Sequence, residues 1–370
     1  MRTLLPLLIM IIFLAFLAWA NIYLARSFNN YFGFIKLKTF YFLFAFITIF
    51  MIGGLAGFTN SLSLAGSMLY KLAATLMGVL LFLLISLLLV DLITLFVKIK
   101  PLVHGILVVS LTLSVSVYGI LNAYNTRVSM LEIPVKGLKK ETEILHLTDI
   151  HIGHFRGPKF LTRIVRKANN LDPDIVVITG DLFDGRIRLK QEVLSPLEEL
   201  RAPVYFVDGN HDGYTGVEKV KELVRNAGIE VLENRLVDLD DIQLVGLNHM
   251  LPDSTTTGMH AALSKNTIKN TLPELNIDKV KPSVLLHHSP DGIEYANDAG
   301  IDVYLAGHTH GGQLFPVNFI NDLIFKYNKG LHSYKGTSIF VSYGAGTFGP
   351  PMRVGTRSEI ALIKLVPEKK

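Results

Sequence analysis

Asp174–Asp184 reads Asp-Ile-Val-Val-Ile-Thr-Gly-Asp-Leu-Phe-Asp. The β-branched run Ile175–Thr179 has the composition of a short strand buried on both faces. The run stops at Gly180, and Asp181 follows at the strand tip, where a turn can aim a carboxylate into a cleft. Four other stretches end in the same way, a β-rich run and then a cluster of His, Asp or Asn. They are Leu145–His151 (LHLTDIH), Tyr205–Asp212 (YFVDGNHD), Val284–Pro290 (VLLHHSP) and Val303–Gln313 (VYLAGHTHGGQ). Parallel strands present ligands at their carboxyl ends, so tips of this kind are expected to converge on one sheet edge, with Asp181 at the centre.

Outward from these tips, β-runs alternate with helical patterns. Phe160–Asn170 and Gly216–Ala227 read as amphipathic helices. Val204–Val207, Ile242–Leu247, Ser283–Leu286, Asp302–Leu305, Ser338–Tyr343 and Ile360–Val366 read as strands. The pattern predicts an α/β domain with helix-covered sheets over residues 143–370. Asn125–Thr142, polar and partly basic, reads as a linker.

Residues 1–124 differ in character. The chain has 370 residues, half of them hydrophobic, and a formal charge of +5. The first third holds seven Lys or Arg and the single acid Asp91, so it contributes +6 and the remainder −1. Four apolar stretches, 4–24, 39–59, 72–97 and 102–124, each reach the roughly 20 residues needed to cross a bilayer. Trp19 and Tyr23 stand where interfacial aromatics are favoured. Ala18-Trp19-Ala20 also mimics a signal-peptidase site, but cleavage there would leave the basic segment Arg26–Lys38 outside, against the charge rule. Asp91 is read at the membrane interface beside Lys98 and Lys100. The loops holding Arg26, Lys36, Lys38, Lys98 and Lys100 outweigh Arg2 and Lys71, which predicts a multi-pass cell-membrane protein whose carboxyl domain is extracytoplasmic. Counting Arg127, Lys136, Lys139 and Lys140 erodes that balance. A near-neutral carboxyl domain argues against nucleic acid as a partner. The absence of cysteine excludes disulfides, thiolate metal sites and Cys nucleophiles.

Singly, each polar tip has a bland reading as a turn or helix cap. Together they bring Asp149, His151, Asp181, Asn210, one of His287 and His288, His308 and His310. Seven nitrogen and oxygen donors without sulfur suit two divalent ions that share one bridging carboxylate. Adjacent residues of a strand point to opposite faces, so only one of His287 and His288 can face that site.

These residues closely resemble the calcineurin-like metallophosphoesterases. The resemblance rests on Asp149-Ile150-His151, Gly180–Asp184, Gly209–Asp212, a strand-end His288 and Gly307–His310, in that order and spacing. His288–Asp291, Gly307–Gln313, Gly344–Gly346 and Pro351–Arg353 resemble the family's membrane-anchored bacterial branch. It covers about Glu143–Val366 and implies a four-layer α/β/β/α sandwich. One ion (Mn, Fe or Zn) would be held by Asp149, His151, Asp181 and His310. The other would take Asp181, Asn210, His308 and His288. A hydroxide bridging the ions would then attack phosphorus, and His211 would protonate the leaving oxygen as general acid. Asp184 is expected to hydrogen-bond a ligand or its loop, and Asp212 either to orient His211 or to lie exposed in the turn. His154, His249 and Arg353 are candidates to line a substrate site, with a structural or exposed position the simpler expectation. After Ile242–Leu247 the chain has Asn248-His249 where the branch tends to carry an acid.

The expected activity is therefore membrane-anchored hydrolysis of a phosphodiester, phosphomonoester or pyrophosphate, with a lipid-linked substrate favoured by the anchor. The apolar segment Phe315–Tyr327 is read as an element that dips into the bilayer, or else as a helix packed on the core. A non-catalytic membrane sensor that retains the metals, and a nuclease, are the alternative classes.

Overall fold

The computed structural model describes residues 4–256 and 266–368, so Arg2 lies outside the described residues. The chain divides into an apolar helical unit and a larger α/β unit. The first contains α1 (Leu4–Tyr31), α2 (Leu37–Phe58), α3 (Leu64–Thr94) and α4 (Pro101–Tyr124), all long and apolar enough to cross a membrane. The third helix begins at Leu64 rather than Leu72, because the Ser63 hydroxyl accepts the Gly66 N–H at 3.0 Å and caps it there. Asp91 is not simply an interfacial partner of the neighbouring lysines. Its carboxylate accepts the hydroxyls of Tyr23 and of Tyr31, the latter at 2.9 Å, and lies 2.9 Å from His104 Nε2. Four side chains thus satisfy one another inside an otherwise apolar helical unit.

The larger unit follows in the order β1 (Arg127–Val135), β2 (Thr142–Leu147), α5 (Pro158–Leu171), β3 (Ile175–Thr179), β4 (Val204–Val207) and α6 (Asn210–Asn226). Next come β5 (Glu230–Val231), β6 (Arg235–Leu239), β7 (Ile242–Gly246), α7 (Ile268–Thr271), β8 (Ser283–Leu286), α8 (Ile293–Ala299) and β9 (Val303–Ala306). The last elements are α9 (Val317–Ile324), β10 (Gly330–Tyr334), β11 (Thr337–Val341) and β12 (Glu359–Pro367).

One six-stranded sheet has the order β1-β12-β2-β3-β4-β5 and the other β10-β11-β9-β8-β7-β6. Within them β2, β3 and β4 run parallel, as do β7, β8 and β9, so their polar ends are presented in register. The facing sides of the sheets meet through Ile144, Val177, Val207, Leu244, Leu286, Leu305, Phe340 and Ile363, all buried. The outer face of the first sheet packs on Phe160, Ile164, Val220 and Val224 of α5 and α6. The outer face of the second packs on Ile268, Ile293 and Ala296 of α7 and α8. The result is the expected four-layer α/β/β/α sandwich. Burial on both faces explains why Ile175–Thr179 carries no polar alternation.

The expected linker is a correction. Arg127–Val135 is β1, an edge strand paired in parallel with β12 from Arg127–Glu359 to Val135–Pro367. Only Ile133 and Val135 of it are deeply buried, and Pro134 is tolerated because nothing pairs on its outer side. Its charges masked the pattern. The second amphipathic helix also begins earlier than expected: α6 opens at Asn210 and breaks at Gly216 (φ 121°). Asp212 caps that first turn, its carboxylate accepting Gly209 N–H at 2.9 Å and Phe183 N–H at 3.0 Å.

Truncating Leu305 to Ala should remove contacts between the sheets that no neighbour can replace, a loss of about 3 kcal/mol. In the full chain in detergent this should lower the apparent unfolding temperature of the α/β unit by about 10 °C. Met130→Ala, on the exposed side of β1, should leave it unchanged. Equal melting temperatures for both variants would contradict the packing described.

Candidate metal centre

The strand tips continue beyond the sheets through two further backbone bonds. Asp149 N–H donates to Gly180 O at 3.1 Å, and His151 N–H to Asp181 O at 3.0 Å. This zips the ends of β2 and β3 together and turns both carboxylates inward. Asp149, His151, Asp181, His308 and His310 all adopt φ between 50° and 72°, a left-handed conformation uncommon for side-chain-bearing residues. Backbone strain concentrated at one place is a mark of function. Two glycines make the close approach possible. A Cβ at Gly180 (φ 81°) would lie 2.7 Å from Gly209 N and 2.8 Å from His288 Nδ1, and one at Gly307 would lie 2.2 Å from an Asp149 carboxylate oxygen.

Asp181 sits where expected, at the centre. One carboxylate oxygen accepts His211 N–H at 2.8 Å, and the other lies 3.2 Å from His288 Nε2 and 3.7 Å from His151 Nε2. Burial alone would raise its pKa, but the charges of His288 and His211 outweigh that and hold it well below the usual carboxylate range. Asp149, fully buried, is likewise held low against its burial, chiefly by His310. Its second oxygen accepts the His308 N–H at 3.0 Å.

The two adjacent histidines face opposite sides, and only His288 turns towards the carboxylates. His288 Nδ1–H donates to Thr179 O at 2.8 Å, which turns Nε2 towards Asp181. His287 faces the other way, with Nδ1 2.8 Å from both Ser289 O and the Tyr304 hydroxyl, and burial lowers its pKa to about 4. His308 packs its ring against that of His288, 5.0 Å between centroids. His310 Nε2 lies 3.1 Å from Asp149 and 3.0 Å from His151 Nε2. Asn210 opens α6 beside Asp181 with its amide oxygen buried and without a hydrogen-bond partner.

The donor set fits divalent ions. Ligand atoms of Asp149, His151 and His310 lie within 4.8 Å of one another, as do those of Asp149, Asp181 and His288. Two imidazole Nε2 atoms facing each other at 3.0 Å, a partnerless buried amide oxygen and two buried carboxylates form a poor hydrogen-bond network but a good cation cradle.

His211 stands beside this cluster, its ring edge-on to His151 at 4.8 Å and partly open to solvent. Its Nδ1 lies 3.0 Å from an Asp184 oxygen. Burial disfavours its charged form, yet the Asp181 and Asp184 carboxylates prevail and raise its pKa to about 9. Asp184, not Asp212, therefore orients His211. Asp212 is fully buried rather than exposed, and its burial and the nearby Asp181 charge push its pKa up to about 7.

Five further residues have surroundings that the sequence did not reveal. Arg353, a candidate only for lining, is fully buried, and its guanidinium donates to His310 O at 3.2 Å and to Gly346 O at 2.8 Å. It braces the backbone of the turn that carries His310. His249 stacks on His287 at 6.0 Å and touches the His288 and His308 rings, while its N–H is held by Asp208, itself paired with Lys221. His154 is buried and is not in the ligand cluster. Phe348 and Tyr214, unnoticed in the sequence, flank His211 with rings at 6.1 and 5.6 Å, and both are nearly half exposed. Aromatic residues in loops carry no motif, and only the fold brings them here.

Residues 142–312 match the family model of the calcineurin-like phosphoesterases. An uncharacterized metallophosphoesterase of Aquifex aeolicus is 31% identical, over 67% of this chain and 95% of that one. The phosphodiesterase YaeI of Escherichia coli is 31% identical, over 60% of this chain and 82% of its own. A zebrafish (Danio rerio) protein described as a transmembrane protein with a metallophosphoesterase domain is 34% identical, over 70% of this chain and 62% of that one. The chain belongs to the calcineurin-like metallophosphoesterase family. The expected resemblance is thereby confirmed, and the four apolar helices together with a relative described as a transmembrane protein mark it as a membrane protein. It spans only 61–66% of the length of several bacterial relatives that it matches.

Replacing Arg353 with Leu should leave the His310 and Gly346 carbonyls without their donor, loosen the turn that carries His310 and weaken divalent-ion binding about 10- to 100-fold, as losses of supporting partners around a ligand do. Competition with a chromogenic chelator measures this, and Arg353→Lys should recover part of the loss. Unchanged affinity in Arg353→Leu would remove the supporting role. In metal-free protein, His211 should stay cationic at pH values below its ordinary pKa and lose its proton only as pH passes about 9. Asp184→Asn should bring that titration down, as followed by NMR of labelled histidine. A His211 pKa unmoved by Asp184→Asn would mean the contact is not what holds the proton.

Proposed function

We propose that this chain is a membrane-anchored, metal-dependent phosphoric ester hydrolase that binds two divalent ions. The observation that carries the reading is the convergence of Asp149, His151, Asp181, His288 and His310, all buried, on one sheet edge, with His211 held by Asp184 at its margin. Asp149, His151, Asp181 and His310 would hold one ion, and Asp181, Asn210, His288 and His308 the other. The donors accept Mn, Fe or Zn without discrimination. Bound ions would supply an activated water and neutralise the oxygens of a phosphoryl group.

The protein's own groups do the rest. Asn210 offers a neutral oxygen, which limits negative charge around an anionic substrate. With Nδ1 committed to Asp184, His211 carries its transferable proton on Nε2 and delivers it to the leaving oxygen, and the Asp184 carboxylate stabilises the imidazolium until transfer. Tyr214 and Phe348 border that leaving-group side with apolar surface, which supports an organic, lipid-linked leaving group over a strongly charged one. The net charge of −1 outside the first 124 residues supports neither a nuclease nor another nucleic-acid partner. Arg26, Lys36, Lys38, Lys98 and Lys100 on one side against Arg2 and Lys71 on the other favour a multi-pass arrangement with the catalytic domain extracytoplasmic, a bias that the basic residues between Arg127 and Lys140 reduce.

Hydrolysis of an aryl phosphodiester by detergent-purified protein tests this. It should be absent in metal-stripped enzyme, return with Mn²⁺ and vanish in Asp181→Asn. His211→Ala should slow an alkyl phosphodiester by about 10²- to 10⁴-fold but an aryl one far less, because a good leaving group needs little protonation. Metal-loaded protein inactive on all phosphoesters would favour a sensor that binds metal without turnover.

A further inference from the structure

The helix α9 has two faces of different character. Its inner side is pinned to the loop that carries His308 and His310. The Asn321 side-chain amide donates to Thr309 O at 2.9 Å, and Asn318 packs so tightly that a Cβ on Gly312 would lie 2.4 Å from its Cα. Phe325, just beyond the helix, sets its ring edge-on to His308 at 5.8 Å. The outer side is apolar and open. Phe319 and Ile320 are more than half exposed, Leu323 is 87% exposed, and Ile324 and Phe315 extend the patch.

A contiguous apolar face of this kind on a short surface helix calls for a partner. The occupant is indicated by the rest of the chain. Four helices long and apolar enough to cross a membrane precede the α/β unit, and only Asn125 and Thr126 separate α4 from β1. Two residues span about 7 Å at most, so helices that cross a bilayer would keep the chain that follows them close to its surface. The patch is chemically suited to that surface. Its one acidic neighbour, Asp322, is paired with Lys329 at 2.9 Å. Lys326 stands at the C-terminal border of the helix, where a cation meets anionic headgroups.

We propose that α9 is a membrane-seated helix: Phe319, Ile320, Leu323 and Ile324 enter the boundary between headgroups and acyl chains of an anionic lipid bilayer. The same helix fixes the His308–His310 loop, so its seating brings the metal-ligand edge to headgroup depth. This rests on the phosphoesterase reading and narrows its substrate to phosphoesters presented by the lipid surface.

The test uses the full chain carrying Trp19→Phe and Leu323→Trp, so that one tryptophan reports from α9, in proteoliposomes of phosphatidylcholine and phosphatidylglycerol. Blue-shifted emission, quenched by lipids brominated in the acyl chains and shielded from iodide, is expected. Emission quenched by iodide but not by bromolipid would place the face in water and overturn the proposal. Blue-shifted emission insensitive to bromolipid would show that protein, the chain's own helices or a second copy, covers the face, and would overturn it equally. The triple variant Phe319→Ser, Ile320→Ser, Leu323→Ser should keep its metal content and hydrolyse the soluble aryl phosphodiester within about twofold of the natural chain. Its fold is followed by the melting transition of the α/β unit. Loss of bilayer contact and failure of the phosphoesterase reading therefore register in separate assays.

Discussion

The architecture depends on keeping two carboxylates, Asp149 and Asp181, charged in a place where water cannot solvate them. Both are buried, and both are held in the ionised form by surrounding imidazoles and backbone N–H groups. Burying an unpaired charge is among the most costly acts in folding. The two parallel strand sets solve it by delivering histidines from the second sheet, at the ends of β8 and β9, to carboxylates from the first, at the ends of β2 and β3. The left-handed backbone at Asp149, His151, Asp181, His308 and His310 is the local cost of that convergence, and the hydrophobic contact between the sheets offsets it.

Around that centre the chain separates tasks by protonation. Burial lowers the His310 pKa to about 4 against the pull of Asp149, which favours an imidazole with one ring nitrogen free to offer a lone pair. His211, at the edge of the same cluster, is kept cationic. The same side chain is thus pushed in opposite directions at neighbouring positions, and the difference lies in Asp184 and the degree of solvent access. Buried Arg353 adds a further layer, bracing the backbone of the turn that carries His310 while satisfying the carbonyls of the Tyr343–Gly346 turn.

The helical unit follows a similar rule on a smaller scale. A single acid, Asp91, is tolerated there because Tyr23, Tyr31 and His104 meet it. A polar residue in an apolar helix bundle persists when its hydrogen bonds are closed locally.

The order and spacing of the polar tips were enough to name the layered fold and to point to the sheet edge where Asp149, His151, Asp181, His288 and His310 gather, because each short β-run buried on both faces ends in a turn whose side chains can go nowhere else. Apolar length likewise revealed four helices, though not all of their ends. The sequence was silent where partners come from far away along the chain. β1 was hidden because an edge strand buries only alternate residues, and Ser63 set the start of α3 by a capping bond that hydropathy does not register. The pairing of His211 with Asp184 rather than Asp212, the bracing of the His310 turn by Arg353 and the placement of Tyr214 and Phe348 beside His211 all depend on loops meeting at one edge. Such contacts are decided by tertiary packing, since the residues involved have no periodic pattern and acquire their roles only from the groups placed opposite them.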